Sequence, residues 1–550
     1  MNILLVIPGY SMFPVGASYI YTALKQAGYS VDSFIFNRNP EALYERLIQK
    51  KYDLVAMGGL SIEYKQLKVI SDIVNKVGTK IIAGGGIITS EPELMSRALN
   101  IDFAVIGEGE ETIIELLSCI KDNGDLSLVN GIGYFKDELF TLTKSRKQIE
   151  NLDSLPFPDH EGVGFIEYLD SSKPGRWHYF DIFDYPREYP LMASRSCPFL
   201  CTFCYHPTGN KYRQRSIDSL MAELAAVIPK YKINLVSIYD ELFSYGGERV
   251  REFCKRFKDY AKTIPWEVKW GCQLRVDDLS DGLLDEMRSA GCFMVGYGLE
   301  SYSPVVLKSM KKYISPQQIH KAVHATMDSG ISISGNFIFG DKDETFETAI
   351  TTLDFWKNHP QAGIRLGFIM ACPQSELYQY AVKNGLIKDK LDFIANRLTL
   401  LTLNLTAMSD ADFSKLIMLV IRYKIKYSPY SIPIKLTNSS ITIRCPHCKK
   451  ITEYKNFSVP FPKKLFNSQM LHCRKCRKIF YSLNRLYMIN FQSDLPFLRF
   501  LNTAYYRLHK LSVSFLTERF LVLVIIGMFM VYSSIKSIFK KEFIITTEEA

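Results

Sequence analysis

Short apolar runs alternate with segments of helical length over the first 120 residues. The runs lie at 3–7, 31–36, 54–57, 80–83 and 103–106, with helical segments at 17–27, 41–49, 64–77 and 112–120 between and after them. Runs without polar alternation are typical of strands buried on both faces of a parallel sheet. Five such strands with intervening helices predict an α/β, doubly wound, flavodoxin-like domain.

A second series of alternating elements begins at residue 191. Strands are predicted at 191–194, 235–239, 268–272, 293–298, 331–339 and 364–370, and helices at 219–228, 249–261, 282–290, 316–329, 345–356 and 376–383. Six right-handed βα units form a curved parallel sheet, so we predict a partial (β/α)6 barrel. Such barrels carry their sites at the carboxyl ends of the strands.

The rest of the chain divides less sharply. The proline-punctuated stretch at 151–159 argues against helix and suggests a linker. We therefore predict a Rossmann-like domain at 1–125, a linker at 126–190, the barrel at 191–395 and a helical connection at 396–440. A small cysteine-containing domain at 441–485 and a basic region with one hydrophobic helix at 486–550 complete the chain.

The composition excludes several classes of protein. At 550 residues and 47% hydrophobic content, the chain is globular, not mainly disordered, collagenous or polytopic in a membrane. Twelve cysteines are too few for a disulfide-stapled secreted scaffold of this length. The N-terminal apolar run lacks a basic n-region and predicts a first strand, not a signal peptide. We expect a cytoplasmic protein with reduced thiols, in which clustered cysteines indicate metal.

Three cysteines lie in one loop after the first strand of the barrel: Cys197, Cys201 and Cys204, with spacings x3 and x2. Thiolates are the usual ligands of iron–sulfur clusters. Three of them hold three irons of a cubane and leave the fourth iron open, whereas structural zinc normally takes four protein ligands. A four-ligand zinc site that includes His206, and a set of buried structural cysteines, remain alternatives.

This triplet, with the aromatic Phe203 before its last cysteine and a partial barrel after it, resembles the radical S-adenosylmethionine (radical SAM) superfamily. The resemblance implies a [4Fe–4S] cluster whose open iron chelates S-adenosylmethionine. It further implies reductive cleavage to a 5′-deoxyadenosyl radical that abstracts hydrogen from the substrate. A radical of this reactivity requires a dry cavity that orients the substrate.

The resemblance also implies S-adenosylmethionine contacts at the ends of the other strands. Directly after the second strand, at 239–243, the sequence has no Gly-Gly-Glu motif such as the family carries there near the methionine amine. The resemblance therefore implies that Asp240 and Glu241 take this acidic role. Each of these residues on its own is equally compatible with an ordinary charged loop or helix cap. The candidates are Phe203, Asp240, Glu241, Arg275, Glu300 and Asn336.

The N-terminal domain resembles the cobalamin-binding class of the superfamily. The candidate cobalamin-binding residues lie in its strand-end loops: Pro8, Gly9, Gly84, Gly85, Gly86, Gly107, Glu108 and Gly109. The first histidine of the chain is His160, so histidine ligation of cobalt from residues 1–159 is excluded. Either cobalamin binds without a protein ligand, or the domain has lost the cofactor and acts as a structural or substrate-binding unit.

Two further CxxC pairs follow the barrel, namely Cys445 with Cys448 and Cys473 with Cys476, 24 residues apart. Two such pairs form a tetrahedral four-thiolate site, typical of a structural zinc ribbon. An auxiliary iron–sulfur cluster and a merely buried or reactive set of cysteines remain alternatives.

The C-terminal region is strongly basic, with 22 Lys and Arg against 6 Asp and Glu in residues 421–550. It suits an anionic membrane surface or a nucleic acid, or it merely aids solubility. An uncharged run at 520–535 is close to the minimum membrane-spanning length, so it is interpreted as an anchor, an interfacial helix or a buried helix.

The leading hypothesis is an enzyme that functionalises C–H bonds by methylation, ring closure or rearrangement, with methyl transfer favoured. Its expected partners are a small-molecule or lipid-like substrate and a reductant such as a flavodoxin or ferredoxin. There are two alternatives: an enzyme that modifies RNA, and a non-catalytic iron–sulfur electron carrier. Nucleic acid is a possible but less favoured partner. The sequence does not select the substrate.

Overall fold

The computed structural model describes residues 1–9, 12–174, 180–400, 403–437, 439–457 and 469–482. The apolar run at 520–535 lies outside these ranges. Within them, no helix combines the length and the apolar character needed to cross a membrane.

The first sheet contains seven strands in the order β2-β1-β3-β4-β5-β6-β7, and its first five strands are parallel. Six of the seven residues of β1 are buried, because helices cover both faces of this central strand. The predicted flavodoxin-like domain is therefore confirmed. Its parallel strands are β1 (Asn2–Pro8), β2 (Ser30–Phe36), β3 (Leu54–Gly58), β4 (Lys80–Gly84) and β5 (Phe103–Val105). Its helices are α1 (Val15–Gln26), α2 (Pro40–Gln49), α3 (Tyr64–Val77), α4 (Gly86–Ser90), α5 (Pro92–Leu99) and α6 (Glu110–Lys121).

This sheet extends beyond the predicted domain boundary at residue 125. The antiparallel strands β6 (Ile132–Lys136) and β7 (Leu139–Leu142) add to its edge beside β5. Their two-residue turn, Asp137 and Glu138, has positive φ at both positions, as a type I′ turn requires. The turn has no glycine, so the usual sequence signal for such a hairpin is missing. The helix α7 (Phe165–Asp170) follows within the predicted linker.

The second sheet has six parallel strands in the order β8-β11-β12-β13-β14-β15. Neighbours in this sheet are consecutive along the chain, apart from a small antiparallel pair, β9 with β10, inserted after β8. The predicted partial barrel is therefore confirmed. Its strands are β8 (Glu188–Leu191), β11 (Leu235–Ile238), β12 (Lys269–Leu274), β13 (Cys292–Glu300), β14 (Ser332–Phe339) and β15 (Ile364–Phe368), and the inserted pair is β9 (Ser194–Arg195) and β10 (Arg213–Gln214). The helices around it are α8 (Ile217–Tyr231), α9 (Gly247–Ala261), α10 (Leu283–Ser289), α11 (Pro304–Ser309), α12 (Pro316–Asp328) and α13 (Phe346–Asn358).

After β15 the chain returns to the first domain. The helix α14 (Glu376–Lys383) and the short α15 (Lys390–Asp392), followed by a π-helical turn, pack their apolar residues into the core of that domain. Tyr378 donates a buried hydrogen bond of 3.0 Å to Glu91, which joins the two parts. The long helix α16 (Asp410–Tyr427) then lies within the predicted helical connection.

Two small three-stranded sheets follow α16, in the orders β16-β21-β20 and β17-β18-β19. Their strands are β16 (Tyr430–Ser431), β17 (Pro433–Leu436), β18 (Ile441–Arg444), β19 (Ile451–Tyr454), β20 (Gln469–His472) and β21 (Ile479–Ser482). Each of the antiparallel pairs β18–β19 and β20–β21 carries one CxxC sequence between its strands. Residues 181 and 184 bind this unit through the buried pair Asp181–His472 and through Asp184–Arg474.

Candidate active site

The cysteine loop begins directly after β9, beyond the carboxyl end of the first barrel strand. Two backbone hydrogen bonds hold Thr202, in the middle of the loop: Thr202 N donates to Met310 O at 3.1 Å, and Leu377 N donates to Thr202 O at 2.9 Å. Asp240, at the end of β11, accepts a 2.8 Å hydrogen bond from Ala193 N just before the loop. The loop and the residues before it are thus held by Met310 and Asp240 of the barrel and by α14, which packs on the first domain.

The three thiols of the loop are free of disulfide bonds. A hydrogen bond from the Cys204 thiol, with a further contribution from the positive charge of Lys312, lowers the pKa of Cys201 to about 6 against the opposing effect of burial. Burial raises the pKa of Cys197. Three thiols on one loop, beside a fixed cation, match the donor set of a cubane with one open iron.

A buried ion pair faces these thiols, formed by Lys312 Nζ and Glu300 Oε1 at 3.0 Å. Glu300 ends β13 with a φ of 60°, which places its backbone in the left-handed region. A Cβ at position 298 would lie 2.5 Å from both Glu300 Oε1 and Lys312 Nζ, so any side chain there would have to push the ends of both charged side chains aside. The close backbone at Gly298 therefore makes room for the ion pair beneath the cysteine loop.

Arg275, which follows β12, also contacts the cysteine loop. Its guanidinium stacks 3.6 Å from the centre of the Phe199 ring, within the cysteine loop. It also pairs with Asp277 at 2.9 Å and donates to the carbonyl of Lys312 at 3.2 Å. Its planar group is therefore fixed next to the site by three contacts before any ligand arrives.

The remaining predicted S-adenosylmethionine residues occupy different environments. The Glu241 carboxylate pairs with His206 Nδ1 at 2.8 Å, which engages His206 with a partner other than the cysteines. Burial raises the pKa of Asp240 to about 7, and its bond to Ala193 gives it a positioning role for the loop. Asn336 is exposed on β14, whereas Phe203 packs against the core shared by the first domain and residues 371–405. Their contacts with S-adenosylmethionine stay predictions.

A buried ion-pair network joins the two α/β domains. Glu108 accepts hydrogen bonds from Arg195 at 2.9 Å and from Arg213 at 2.8 Å, and Glu110 pairs with Arg195. Burial alone would raise the pKa of Glu108, but the hydrogen bonds from Arg213 and Arg195 outweigh this effect and hold the pKa below its usual value. Since Arg195 lies two residues before Cys197, the network connects the Gly107–Gly109 loop directly with the cysteine loop.

The glycine loops of the first domain lie at the carboxyl edge of its sheet. A Cβ at Gly85 would lie 2.8 Å from Gly59 O, and one at Gly9 would lie 2.7 Å from Phe36 O, so these backbones approach closely. A Cβ at Gly107 would meet no atom within 4 Å. A Cβ at Gly86 would lie 3.9 Å from Pro207, which follows the cysteine triplet. Bare backbone at this edge fits a cobalamin held between the domains.

The first histidine of the chain is a core residue. The His160 ring accepts edge contacts from Phe13 and bonds Ser18 Oγ through Nδ1 at 2.7 Å. Burial lowers the pKa of His160 to about 3, so the ring stays neutral. His160 therefore holds the segment after the first domain against α1. Residues 1–159 contain no histidine that could ligate cobalt.

The four C-terminal cysteines converge as predicted. Their sulfur atoms all lie within 4.8 Å of one another, with Cys445–Cys476 at 3.8 Å and Cys448–Cys473 at 3.5 Å. A tetrahedral zinc ion with bonds of about 2.3 Å separates its sulfurs by about 3.8 Å. The amides of His447 and Cys476 point at the sulfurs of Cys445 and Cys473, which is favourable for thiolates.

Four residues of the site were missed by the sequence argument, namely Arg195, Phe199, Arg213 and Lys312. Arg195 and Phe199 belong to the cysteine loop and were visible only as its neighbours. Arg213 and Lys312 come from separate elements, and no local pattern distinguishes them from surface cations. Only the long-range packing brings their side chains to the loop.

Comparison with known proteins agrees with this architecture. Residues 1–117 match the B12 binding domain model and residues 191–355 match the radical SAM superfamily model. The chain is 28% identical over 310 residues to an uncharacterized methyltransferase of Pyrococcus horikoshii, covering 56% of this chain and 64% of that one. It is 25% identical to the anaerobic magnesium-protoporphyrin IX monomethyl ester cyclase of Cereibacter sphaeroides, covering 63% of this chain and 58% of that one.

Two solved structures share the fold. The radical S-adenosylmethionine methyltransferase TsrM from Kitasatospora setae superposes with a TM-score of 0.58 at 17% identity, covering 69% of this chain and 76% of that one. The cobalamin-dependent S-adenosylmethionine radical enzyme OxsB gives 0.55 at 14% identity, covering 92% and 71%. The chain spans less than two thirds of the length of the two curated relatives above.

The fold and the site together define a two-domain α/β protein in which a glycine-lined edge faces a loop of three cysteines. The chain carries a B12-binding domain at residues 1–117 and a radical SAM domain at residues 191–355. The resemblance seen in the sequence is thereby confirmed, and with it the cofactors that the two domains imply, namely a [4Fe–4S] cluster, S-adenosylmethionine and cobalamin.

Proposed function

We propose that this protein is a cobalamin-dependent radical SAM enzyme that transfers a methyl group to an unreactive carbon of a small organic molecule. The observation that carries the proposal is the buried Glu108–Arg195 contact, which sets the glycine edge of the B12-binding domain against the cysteine loop. When bound, the cluster and cobalamin supply radical generation and methyl transfer. The relatives named methyltransferases and cyclases support this class over an RNA-modifying enzyme or an electron carrier.

The residues of this chain would divide the work as follows. Cys197, Cys201 and Cys204 would ligate the cluster. The buried ion pair of Lys312 and Glu300 would place one positive and one negative charge beside it. The Arg275 guanidinium is held by Asp277 through Nε and Nη2, and its Nη1 would reach a carboxylate of S-adenosylmethionine. The backbones of the glycine loops would hold cobalamin from above. The barrel interior would receive the substrate away from bulk water.

Five further predictions accompany this proposal. Zinc in the C-terminal cysteine quartet is supported by its sulfur–sulfur distances. A flavodoxin or ferredoxin is the class of reductant that a low-potential cluster requires. A lipid-like substrate and membrane association through residues 520–535 would suit the basic C-terminal region. A cytoplasmic location follows from the expected reduced thiols.

The decisive experiment is anaerobic reconstitution followed by metal analysis and an assay for 5′-deoxyadenosine with dithionite. We expect about four irons per chain at the cysteine loop and one bound cobalamin, with S-adenosylmethionine cleavage. Cys201→Ala should abolish the cluster absorbance and the cleavage. The matched control is Cys119→Ala, a thiol of α6 outside either cysteine cluster, which should leave both unchanged. Undiminished cleavage in Cys201→Ala would overturn the proposal.

Methyl transfer has its own measurement. With S-adenosylmethionine deuterated at its methyl group, the cobalamin-loaded protein should pass the label to a small-molecule acceptor in an extract of the source cells. Equal labelling by protein prepared without cobalamin would contradict methyl transfer through this domain, whereas cleavage of S-adenosylmethionine without any labelled product would point to ring closure or rearrangement instead.

A further inference from the structure

Three of the nine histidines of the chain meet on the outer helix layer of the barrel. His320 and His324 lie one turn apart on α12, and His359 follows the last residue of α13. One nitrogen from each ring lies within 4.8 Å of the other two. Positions i and i+4 share one face of a helix, so α12 presents both rings toward the end of the neighbouring helix.

The closest pair of nitrogens, His324 Nε2 and His359 Nε2, is 2.9 Å apart. Two nitrogens bound to one zinc ion at about 2.05 Å each, in tetrahedral geometry, lie about 3.3 Å apart. A shift of a few tenths of an ångström therefore turns the observed pair into two ligands of one ion.

Hydrogen bonding fixes which nitrogen of His359 is available. Its Nδ1 lies 2.8 Å from Phe355 O, and because a carbonyl only accepts, Nδ1 carries the proton and donates it. The Nε2 atom is therefore left with a free lone pair directed at His324. A backbone carbonyl that orients an imidazole in this way is the usual support of a metal-binding histidine.

Ring stacking orders the other side chains of the trio. The His320 and His324 rings stack at 4.2 Å, and the His359 ring stacks on Phe355 at 4.3 Å. Phe355 stacks in turn on Tyr302 at 4.0 Å. The rings are thus held close to their positions in the absence of an ion, which lowers the entropic cost of binding one.

The trio lies away from the cysteine loop. His359 comes directly before the turn that enters β15, so it belongs to the amino-terminal side of the barrel, whereas the cysteine loop lies at the carboxyl ends of the strands. The C-terminal cysteine unit packs on this same side, since a Cβ at Gly363 would lie against Ile479. The cluster chemistry therefore leaves these histidines unused.

We propose that His320, His324 and His359 bind a zinc ion that joins α12 to the end of α13, with water in the fourth position. Three imidazoles suit zinc better than the harder magnesium or calcium ions. The ion would replace the hydrogen bond between His324 and His359. The proton on His324 Nε2 would move to Nδ1 of the same ring, so that these two of the three ligating rings remain neutral.

The test uses the full-length, cluster-loaded protein, purified without a polyhistidine tag and with its cysteine quartet already saturated with zinc. Zinc is added and the unbound ion removed, and zinc and iron per chain are then measured. We expect one zinc equivalent more in the native chain than in the double variant His320→Ala/His324→Ala. A chelator competition should show at least a tenfold loss of affinity in His324→Ala alone.

The matched control is Lys321→Ala, an exposed residue of α12 between the two histidines, which should keep the additional zinc. Added zinc should also raise the thermal midpoint of the native chain and of Lys321→Ala, but not that of the double variant. Iron content and S-adenosylmethionine cleavage should stay at the native level in all variants, which separates this site from the proposed reaction. Equal zinc content in the native chain and the double variant would show that His324 and His359 form a hydrogen bond only, and would overturn the proposal. A thermal unfolding midpoint of the native chain that does not change with added zinc would also overturn it.

Discussion

Single residues set the electrostatics of the candidate site. Lys312 is buried beside Glu300 and close enough to Cys201 to lower the pKa of its thiol. A buried cation without its partner is costly, so each member of the pair keeps the other in place. The charged ends of both side chains occupy the space that a Cβ at position 298 would take, so a larger residue there would displace them.

Gly298→Ala is therefore expected to disturb the site more than its size suggests. The added Cβ would displace the Lys312–Glu300 pair and should cost about 1–3 kcal/mol of stability, with a marked loss of S-adenosylmethionine cleavage. Urea unfolding and the 5′-deoxyadenosine assay measure the two effects. The control Gly16→Ala, in an exposed helical position with open space around its Cβ, should be neutral or stabilising by up to about 1 kcal/mol. A Gly298→Ala protein with native cleavage would refute this role.

At the scale of elements, turn geometry decides where the first sheet ends. The β6–β7 hairpin closes through Asp137 and Glu138, both in the left-handed region that L-residues adopt at a cost. The pairing of Lys136 with Leu139 nevertheless fixes the register of the two strands. Packing of the hairpin against β5 evidently offsets the strain in the turn.

Glu138→Gly should therefore stabilise the protein, by about 0.5–1 kcal/mol, because glycine adopts the positive φ without strain. Glu138→Ala is the matched control, since it also removes the exposed carboxylate but keeps the Cβ. It should give no comparable gain. Chemical denaturation of the three proteins side by side measures the difference, and equal stability of the two variants would show that the turn stores no strain.

On the scale of the whole molecule, the domains are coupled by buried charge. Glu108 receives Arg195 and Arg213 from the barrel, and residues 371–405 return from the barrel to the core of the first domain. The B12-binding domain is thus tied to the cysteine loop by a charged contact and to the rest of the chain by an apolar one. Both contacts hold the glycine edge over the site.

The lowered pKa of Glu108 gives a pH dependence with a defined sign. Its ionised form is the stable one in the folded protein, so its contribution is present above the ordinary glutamate value near 4.5 and is lost as pH falls through the lower folded value. Glu108→Gln should cost about 3–5 kcal/mol at pH 7, because it breaks a buried pair, and should flatten the stability profile below pH 4.5.

The exposed pair Glu150–Lys211 supplies the control for this experiment. Glu150→Gln should change the unfolding free energy little at any pH, because solvent screens the pair. Urea unfolding between pH 3 and pH 7, with domain separation followed by limited proteolysis, makes the comparison. An identical acid profile for the native protein and Glu108→Gln would remove Glu108 from the interdomain contact.

The sequence by itself determined both α/β domains, the cysteine triplet and the C-terminal quartet. Local patterns predict these features: unbroken apolar runs indicate buried parallel strands, and short fixed spacings indicate thiol ligands. The same local logic excluded a cobalt-ligating histidine from residues 1–159. It also located the loops at the strand ends, since every parallel strand ends at the same edge.

Only the tertiary structure decided which distant side chains complete those loops. Arg213 meets Glu108 across 105 residues of sequence, and Lys312 and His359 reach their sites from elements other than the ones that carry the cysteines and the other two histidines. Their chemistry depends on burial and on partners that only packing supplies. The glycine-free hairpin at Asp137 and the return of residues 371–405 to the first core were decided in the same way. Local periodicity specifies elements, whereas desolvation and pairing of charges arise only when those elements pack.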